Sequence, residues 1–386
     1  MRSGAAALAL LLACACAARA GEGAGFTAAP ILQVPLGSRA LGMGGAFTAV
    51  ASDITSLYYN PAGLSRLNAH EAAFSFMSGV AQDQMQQLAY GGPLPFTGLS
   101  GSGYAGFGGS VLFAQSGTIE VNRTNADGSF AGSSSLSAGS DLVLTLGYGE
   151  RVGTSPIELQ GGKGYGINHF VGVAGKFVRS TLVERYSASA FTMDAGYLLN
   201  SPEAGLTFGL SVLNVGGQMR YVDEADPLPT TLRSGVAYQG GVPSVHAYTL
   251  ATDGEYLAKE KRLGINLGME YFWLRSYGAR LGYQMLRDNM GLTMGFGYRW
   301  KARVLFDYAW TMGALTDAHR FTATYRFGGV APSKRARQRR PFIDRAPEYQ
   351  RTESVEDKTP TMMDAPKRPR PTPRRERPSG VPGWIY

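Results

Sequence analysis

Residues 262–273 read Arg-Leu-Gly-Ile-Asn-Leu-Gly-Met-Glu-Tyr-Phe-Trp. Side chains of an extended chain alternate between two faces. Leu263, Ile265, Leu267, Met269, Tyr271 and Trp273 therefore share one face, while Arg262, Gly264, Asn266, Gly268 and Glu270 share the other. Twelve residues of strict alternation make a strand with one apolar and one small or polar side. That length suits a tilted strand crossing a bilayer, which needs roughly 9–11 residues.

The pattern recurs on both sides of this segment. Tyr277, Ala279, Leu281 and Tyr283 alternate with Gly278, Arg280, Gly282 and Gln284. Leu292, Met294, Phe296, Tyr298 and Trp300 alternate with Gly291, Thr293, Gly295, Gly297 and Arg299, and Phe321, Ala323, Tyr325 and Phe327 with Arg320, Thr322, Thr324 and Arg326. Extended along the chain, the reading places strands at 72–79, 84–91, 103–115, 138–149, 167–178, 188–198, 205–214, 231–239, 245–254, 263–273, 277–285, 290–299, 302–311 and 320–328. The even total of about fourteen is the parity of bacterial outer-membrane barrels. Long connections are expected at 116–137 and 215–230, and tight turns after Leu198, Gln239, Trp273 and Arg299. The stretch 150–166 is long on the side of the tight turns.

A soluble sandwich would show the same alternation, so periodicity alone does not choose between the two. Composition and an export signal favour the membrane. The chain has 52 Gly among 386 residues and only 17% charged residues, against about 7% Gly and 25% charged in ordinary globular domains. Apart from a short N-terminal run, no stretch approaches the roughly 20 apolar residues of a spanning helix. Aromatic residues crowd the strand ends as an interfacial girdle does. Residues 1–20 read as a secretory signal, with Arg2 as the basic region, an apolar run from Ala5 to Ala18, and Ala18-Arg19-Ala20 before Gly21. Both cysteines, Cys14 and Cys16, fall inside it, so cysteine metal sites are excluded from the mature chain. A lipoprotein signal ending at Cys14 ranks second.

The net charge of +8 belongs to the two ends. Residues 331–386 hold 14 Lys+Arg against 7 Asp+Glu, and 10 of the 20 Pro. This tail is expected to be disordered and periplasmic, either a solvated spacer or a contact for an anionic partner. Nucleic acid is not expected as a ligand in that compartment.

Catalytic constellations are sparse. His70, His169, His246 and His319 lie in separate segments, and no G-x-S-x-G elbow is present. We read the chain as a non-enzyme without cofactor or metal, although His169 or His246 beside a strand serine stays open as a catalytic pair. Gly42-Met43-Gly44-Gly45 lacks the flanking βαβ pattern of a dinucleotide turn.

Residues 26–70 do not alternate. Their run GSRALGMGGAFTAVASD (37–53), followed by YYNPAGL (58–64), resembles the entry segment of the PorV/PorQ group, relatives of the FadL-type long-chain fatty-acid transporters. The resemblance continues through LNVGGQMRYVDEADPLPTTLRSGVAY (213–238), LGMEYFWLRSYGARLGYQ (267–284) and FDYAWTMGALTDAHRFTATYRFG (306–328). It implies an all-β fold, a transmembrane antiparallel β-barrel of about fourteen strands in the outer membrane, with an N-terminal hatch inside the lumen. The expected organisation is signal 1–20, hatch 21–70, barrel 71–329 and tail 330–386. It further implies a protein-handling role of type IX secretion kind, with cargo proteins or secretion machinery as partners. The alternative is a FadL-like channel for small hydrophobic molecules; outer-membrane lipid is a partner in both.

The small residues of the hatch suit a confined lumen, and Asn60-Pro61 should break its helix and turn the chain towards the wall. The candidate binding residues are Arg39, Gly42, Gly44, Gly45, Asp53, Asn60, Pro61, Glu270 and Arg280. Arg39 and Asp53, drawn inside the barrel, should seek inward partners such as Glu270 and Arg280, since an unpaired buried charge is costly. Arg262, Arg299, Asp307, Arg320 and Arg326 should also face inward.

Overall fold

A computed structural model describes residues 27–328, apart from 80–82, 102–103, 159–163, 243–244, 275, 286–290, 302 and 314–316. The expected signal, the Cys14 alternative, the first residues of the hatch and the tail from 330 onward lie outside the described residues.

The chain forms β1 (His70–Ser78), β2 (Gln84–Pro93), β3 (Ala105–Thr124), β4 (Phe130–Glu158), β5 (Gly164–Leu182), β6 (Tyr186–Ser201), β7 (Leu206–Gly216), β8 (Gln218–Arg220), β9 (Ala225–Pro227), β10 (Thr231–Val242), β11 (His246–Leu257), β12 (Arg262–Trp273), β13 (Tyr277–Met285), β14 (Gly291–Trp300), β15 (Val304–Gly313) and β16 (Asp317–Phe327). Fourteen of these described strands close into an antiparallel barrel, and β8 pairs only with β9. Closure is made by β1, which pairs with β2 on one side and with β16 on the other, in register His70↔Phe327 to Ser78↔His319. Closure leaves no unpaired strand edge within the barrel wall itself, which a bilayer requires.

The two faces separate as the alternation dictates. On β12, Leu267, Met269 and Tyr271 are each more than 40% exposed, while Asn266 and Glu270 are 1% and 2% exposed. Leu88, Leu146, Val173, Phe191, Leu210, Leu250, Leu281 and Phe306 extend the exposed apolar band around the barrel. Apolar surface of that extent is covered by lipid or protein in any stable setting. At the rim where β1 begins and β16 ends, His70, Tyr90 and Phe327 stack on one another, and Tyr277 packs between Trp273 and Tyr298.

The connections differ from expectation in two places. The Ser/Gly-rich stretch 116–137 is mostly strand, since β3 and β4 stay paired from Ala105↔Glu150 out to Thr124↔Phe130. Stretch 150–166 is likewise a hairpin, with β4 and β5 paired to Glu158↔Gly164. Both extensions run beyond the apolar alternation, so strict periodicity missed them. The connection from β7 to β10 carries the β8–β9 ribbon, which turns back over the lumen and buries Met219 and Leu228 completely or nearly so.

Residues 27–69 fill the barrel. They begin at the rim opposite His70, where Ala28 N donates to Pro227 O at 3.0 Å and Gln33 Nε2 donates to Glu260 at 2.6 Å. A 3₁₀ turn at Pro30–Gln33, helix α1 (Ser38–Gly42), helix α2 (Ser56–Tyr59) and a 3₁₀ turn at Pro61–Arg66 then bring the chain to β1. Such short helices are not stable alone. The surrounding wall holds them, and their backbone groups bond to it.

Candidate functional site

The glycines of 42–45 let backbone meet backbone. A Cβ at Gly44 would lie 2.7 Å from Leu267 O and 2.8 Å from Tyr283 N, and its φ is +66°. Opposite, a Cβ at Gly268 or Gly282 would overlap Met43 or Gly44, and one at Gly42 would stand 3.0 Å from Gly295 Cα. Two glycine surfaces are thus apposed, one from the plug and one from β12–β14. Hydrogen bonds fix the contact: Gly44 N donates to Thr293 Oγ1 at 3.0 Å, and Gln284 Nε2 donates to Gly44 O at 3.1 Å. Gly45, at φ +79°, returns its N–H to Ala40 O at 2.9 Å and so ends α1.

Asn60 and Pro61 make the second contact. Asn60 is extended and stops α2. Its Nδ2 donates to Tyr197 O, Thr48 O and Leu210 O at 3.1–3.3 Å, while its Oδ1 accepts from Ala62 N at 3.1 Å and starts the following 3₁₀ turn. Pro61 sits against Gly149 and Gly172 of β4 and β5, where a Cβ would meet its carbonyl.

The charged residues form a latch. Arg39 donates Nε and Nη2 to the two Glu270 oxygens at 2.9 and 2.6 Å, and Nη1 to Asp53 at 2.9 Å. Behind it Arg280 donates Nε to Glu270 and Nη1 to Asp307, both at 2.7 Å. Two cations and three carboxylates from the plug, β12, β13 and β15 are thus linked in one chain. Burial works against the Arg39 cation, but Glu270 and Asp53 hold its pKa well above the usual arginine value.

The structure therefore brings Arg39, Asp53, Glu270 and Arg280 together at the latch and Gly42, Gly44 and Gly45 beside it. Asn60 and Pro61 lie apart, against β4–β7. Of the other charges expected to face inward, Asp307 joins the latch and Arg326 pairs with Glu71 at 2.8 Å. Arg262 pairs with Glu260 at the rim, and Arg320 is buried with Nε and Nη1 unpartnered among the described residues.

Sequence reasoning passed over two wall carboxylates that hold the plug backbone. Asp253 accepts from Phe47 N and Thr48 N at 2.8 Å, and Glu71 from Ile54 N at 2.9 Å. Acidic residues at inward positions need donors, but backbone N–H partners leave no mark in the sequence. Phe272 was also missed. It is a bulky inward residue on an otherwise small face, and its ring carries Arg280 and Arg299 at 5.7 and 4.9 Å.

Farther from the His70 rim the plug packs through an apolar cluster. Ile31, Leu32, Leu36, Tyr58, Leu112, Val143, Val178, Met219 and Leu228 belong to one buried cluster. The space among Leu32, Tyr58, Leu112 and Val143, which Gln87, Thr145 and Lys176 also line, is about 20 Å³, room for about one water. Polar walls flank it: Lys176 pairs with Asp194 at 2.7 Å, and Arg233 with Glu255 at 3.0 Å beside the Tyr58 and Tyr59 rings.

Residues 6–136, about a third of the chain, match the model of an uncharacterised protein family (UPF0164). No curated protein matches. Among solved structures, the toluene transporter TbuX of Ralstonia pickettii aligns over 76% of this chain and 98% of its own, at 12% identity and a TM-score of 0.48. The Pseudomonas putida toluene transporter TodX aligns over 75% and 96%, at 12% identity and a TM-score of 0.46. A Pseudomonas aeruginosa FadL homologue aligns over 79% and 100%, at 10% identity and a TM-score of 0.42. The PorV/PorQ resemblance rests on the sequence motifs alone.

Proposed function

We propose that the protein is an outer-membrane channel for small hydrophobic molecules, closed in this state by residues 27–69 and opened by displacement of that plug. The observation that carries the reading is the buried apolar cluster of Ile31, Leu32, Tyr58, Met219 and Leu228 inside the lumen. A water-filled ion pore has a polar interior; an apolar compartment favours ligands that leave water readily. Because the compartment is packed, a ligand needs the plug or the β8–β9 ribbon to move. The latch sets the cost of moving it.

The test is saturable accumulation of radiolabelled oleate by cells lacking their own long-chain fatty-acid channel and expressing this protein. Uptake above the empty-vector level, lost when Tyr58 and Met219 are both replaced by Asp, is the expected result. Uptake equal to the empty-vector level, with the barrel folded in the outer membrane, contradicts the reading for this ligand class. A protein-handling role of type IX kind is the second reading. It draws on the β3–β4 ribbon, whose residues 117–137 are largely exposed.

A further inference from the structure

Between the latch and the His70 rim lies a cavity of about 280 Å³. Arg39, Arg66, Arg280, Arg299 and Arg326 line it, together with Asp53 and Asp307. Three of these arginines hold carboxylates: Arg39 and Arg280 in the latch, and Arg326 with Glu71. Arg66 and Arg299 make no salt bridge among the described residues. Arg66 uses Nη1 on the carbonyl oxygens of Ala51 and Ala49, at 3.2 and 3.5 Å. Burial and then the Arg39 charge push its pKa down to about 10, which leaves it cationic at neutral pH. The Arg299 guanidinium lies over Phe272, and its Nε is buried without a hydrogen-bond partner among the described residues.

The space is built into the wall. A Cβ at Gly297 would stand 2.6 Å from Asp307 Oδ1 and 2.9 Å from Arg280 Nη1, so only glycine leaves both groups in place. A buried guanidinium N–H without an acceptor, as at Arg299 Nε, loses hydration and gains nothing in exchange. Among the described residues Arg66 and Arg299 have no carboxylate partner, and with them the five arginines here outnumber the four carboxylates Asp53, Glu71, Glu270 and Asp307, an excess that attracts an anion. Guanidinium groups match the oxygens of carboxylates and phosphates with paired donors.

We propose that this cavity is a binding site for a small oxyanion, a phosphate or an organic carboxylate, held by Arg66 and Arg299. The site does not depend on what crosses the barrel. Its occupant would face the same compartment as the plug end of the latch, so binding there is placed to stiffen the plug.

The test is isothermal titration of the detergent-solubilised full chain at pH 7 with inorganic phosphate and, separately, with benzoate. Saturable binding of at least one is expected. Arg299→Gln should weaken it roughly tenfold, in line with loss of a charge-assisted donor, whereas Arg262→Gln, at the opposite rim, should bind like the parent. Phosphate alone assigns the site to phosphates, and benzoate alone to carboxylates. Arg66→Gln provides the second variant, and retained heat-modifiable migration shows that each barrel is folded. No saturable binding of either anion by the parent, or undiminished binding in both folded variants, overturns the proposal.

Discussion

Arg39 of the plug meets Glu270 of β12 through two hydrogen bonds, Nε to Oε1 at 2.9 Å and Nη2 to Oε2 at 2.6 Å. The Glu270 side chain is 3% exposed and also accepts from Arg280. Removing Arg39 leaves Glu270, Asp53 and Asp307 with Arg280 as the one cation of the latch, and a buried charge left uncompensated typically costs roughly 3–5 kcal/mol.

Arg39→Met should therefore loosen the plug more than Arg39→Met combined with Glu270→Gln. Limited proteolysis of the folded barrel, read by the rate of cleavage between residues 37 and 64, checks the order. Equal cleavage in the single variant and the parent would show that the latch does not hold the plug.

The glycine apposition makes a second expectation. Gly282→Ala puts a methyl against Gly44 N, where neither backbone can yield, and overpacking of this kind costs roughly 1–3 kcal/mol. Gly175→Ala, on the outward face of β5 with open space around its Cβ, should be close to neutral. Urea-dependent folding into lipid vesicles compares the two. Matching midpoints would mean that the plug does not press on β13.

The wall should discriminate between its faces. Leu267→Arg near the middle of β12 should cost roughly 2–4 kcal/mol, and Asn266→Ser much less. Gly268, although it is on the inward face, belongs with the intolerant positions because Met43 lies against it. The vesicle assay reads all three; equal losses for Leu267→Arg and Asn266→Ser would argue against lipid on the outer face.

Deletion of residues 331–386 should leave the barrel able to assemble. The ladder already closes at His70↔Phe327, and no described strand lies beyond Phe327. Heat-modifiable migration on gels is the readout. A truncated chain that stays unfolded in lipid would place an assembly signal within the tail.

The strands were legible because a wall between lipid and lumen imposes period two on every spanning segment, as Leu263 to Trp273 shows. The hairpin ends were not, since beyond the apolar band both faces of residues 116–124 and 130–137 meet water and alternation no longer carries information. The pairing of Arg39 with Glu270 followed from charge neutrality in a confined space. Asp253 and Glu71 escaped notice for a different reason: their partners are backbone N–H groups of Phe47, Thr48 and Ile54, which have no sequence signature. The glycine apposition was half visible. Gly42 and Gly44 pointed to a close approach, but only the barrel register shows that Gly268, Gly282 and Gly295 receive them.

Conductance across planar bilayers tests most directly whether residues 27–69 close the lumen. The full-length protein should insert without steady ion current, because Leu32, Leu36 and Tyr58 of the plug pack in one buried cluster with Leu112, Val143 and Val178 of the wall. A variant lacking residues 37–64 loses α1, the latch arginine and the Asn60 contact while keeping every barrel strand, and should open a stable conducting pore. A folded, inserted deletion variant that conducts no more than the full-length protein would contradict the account.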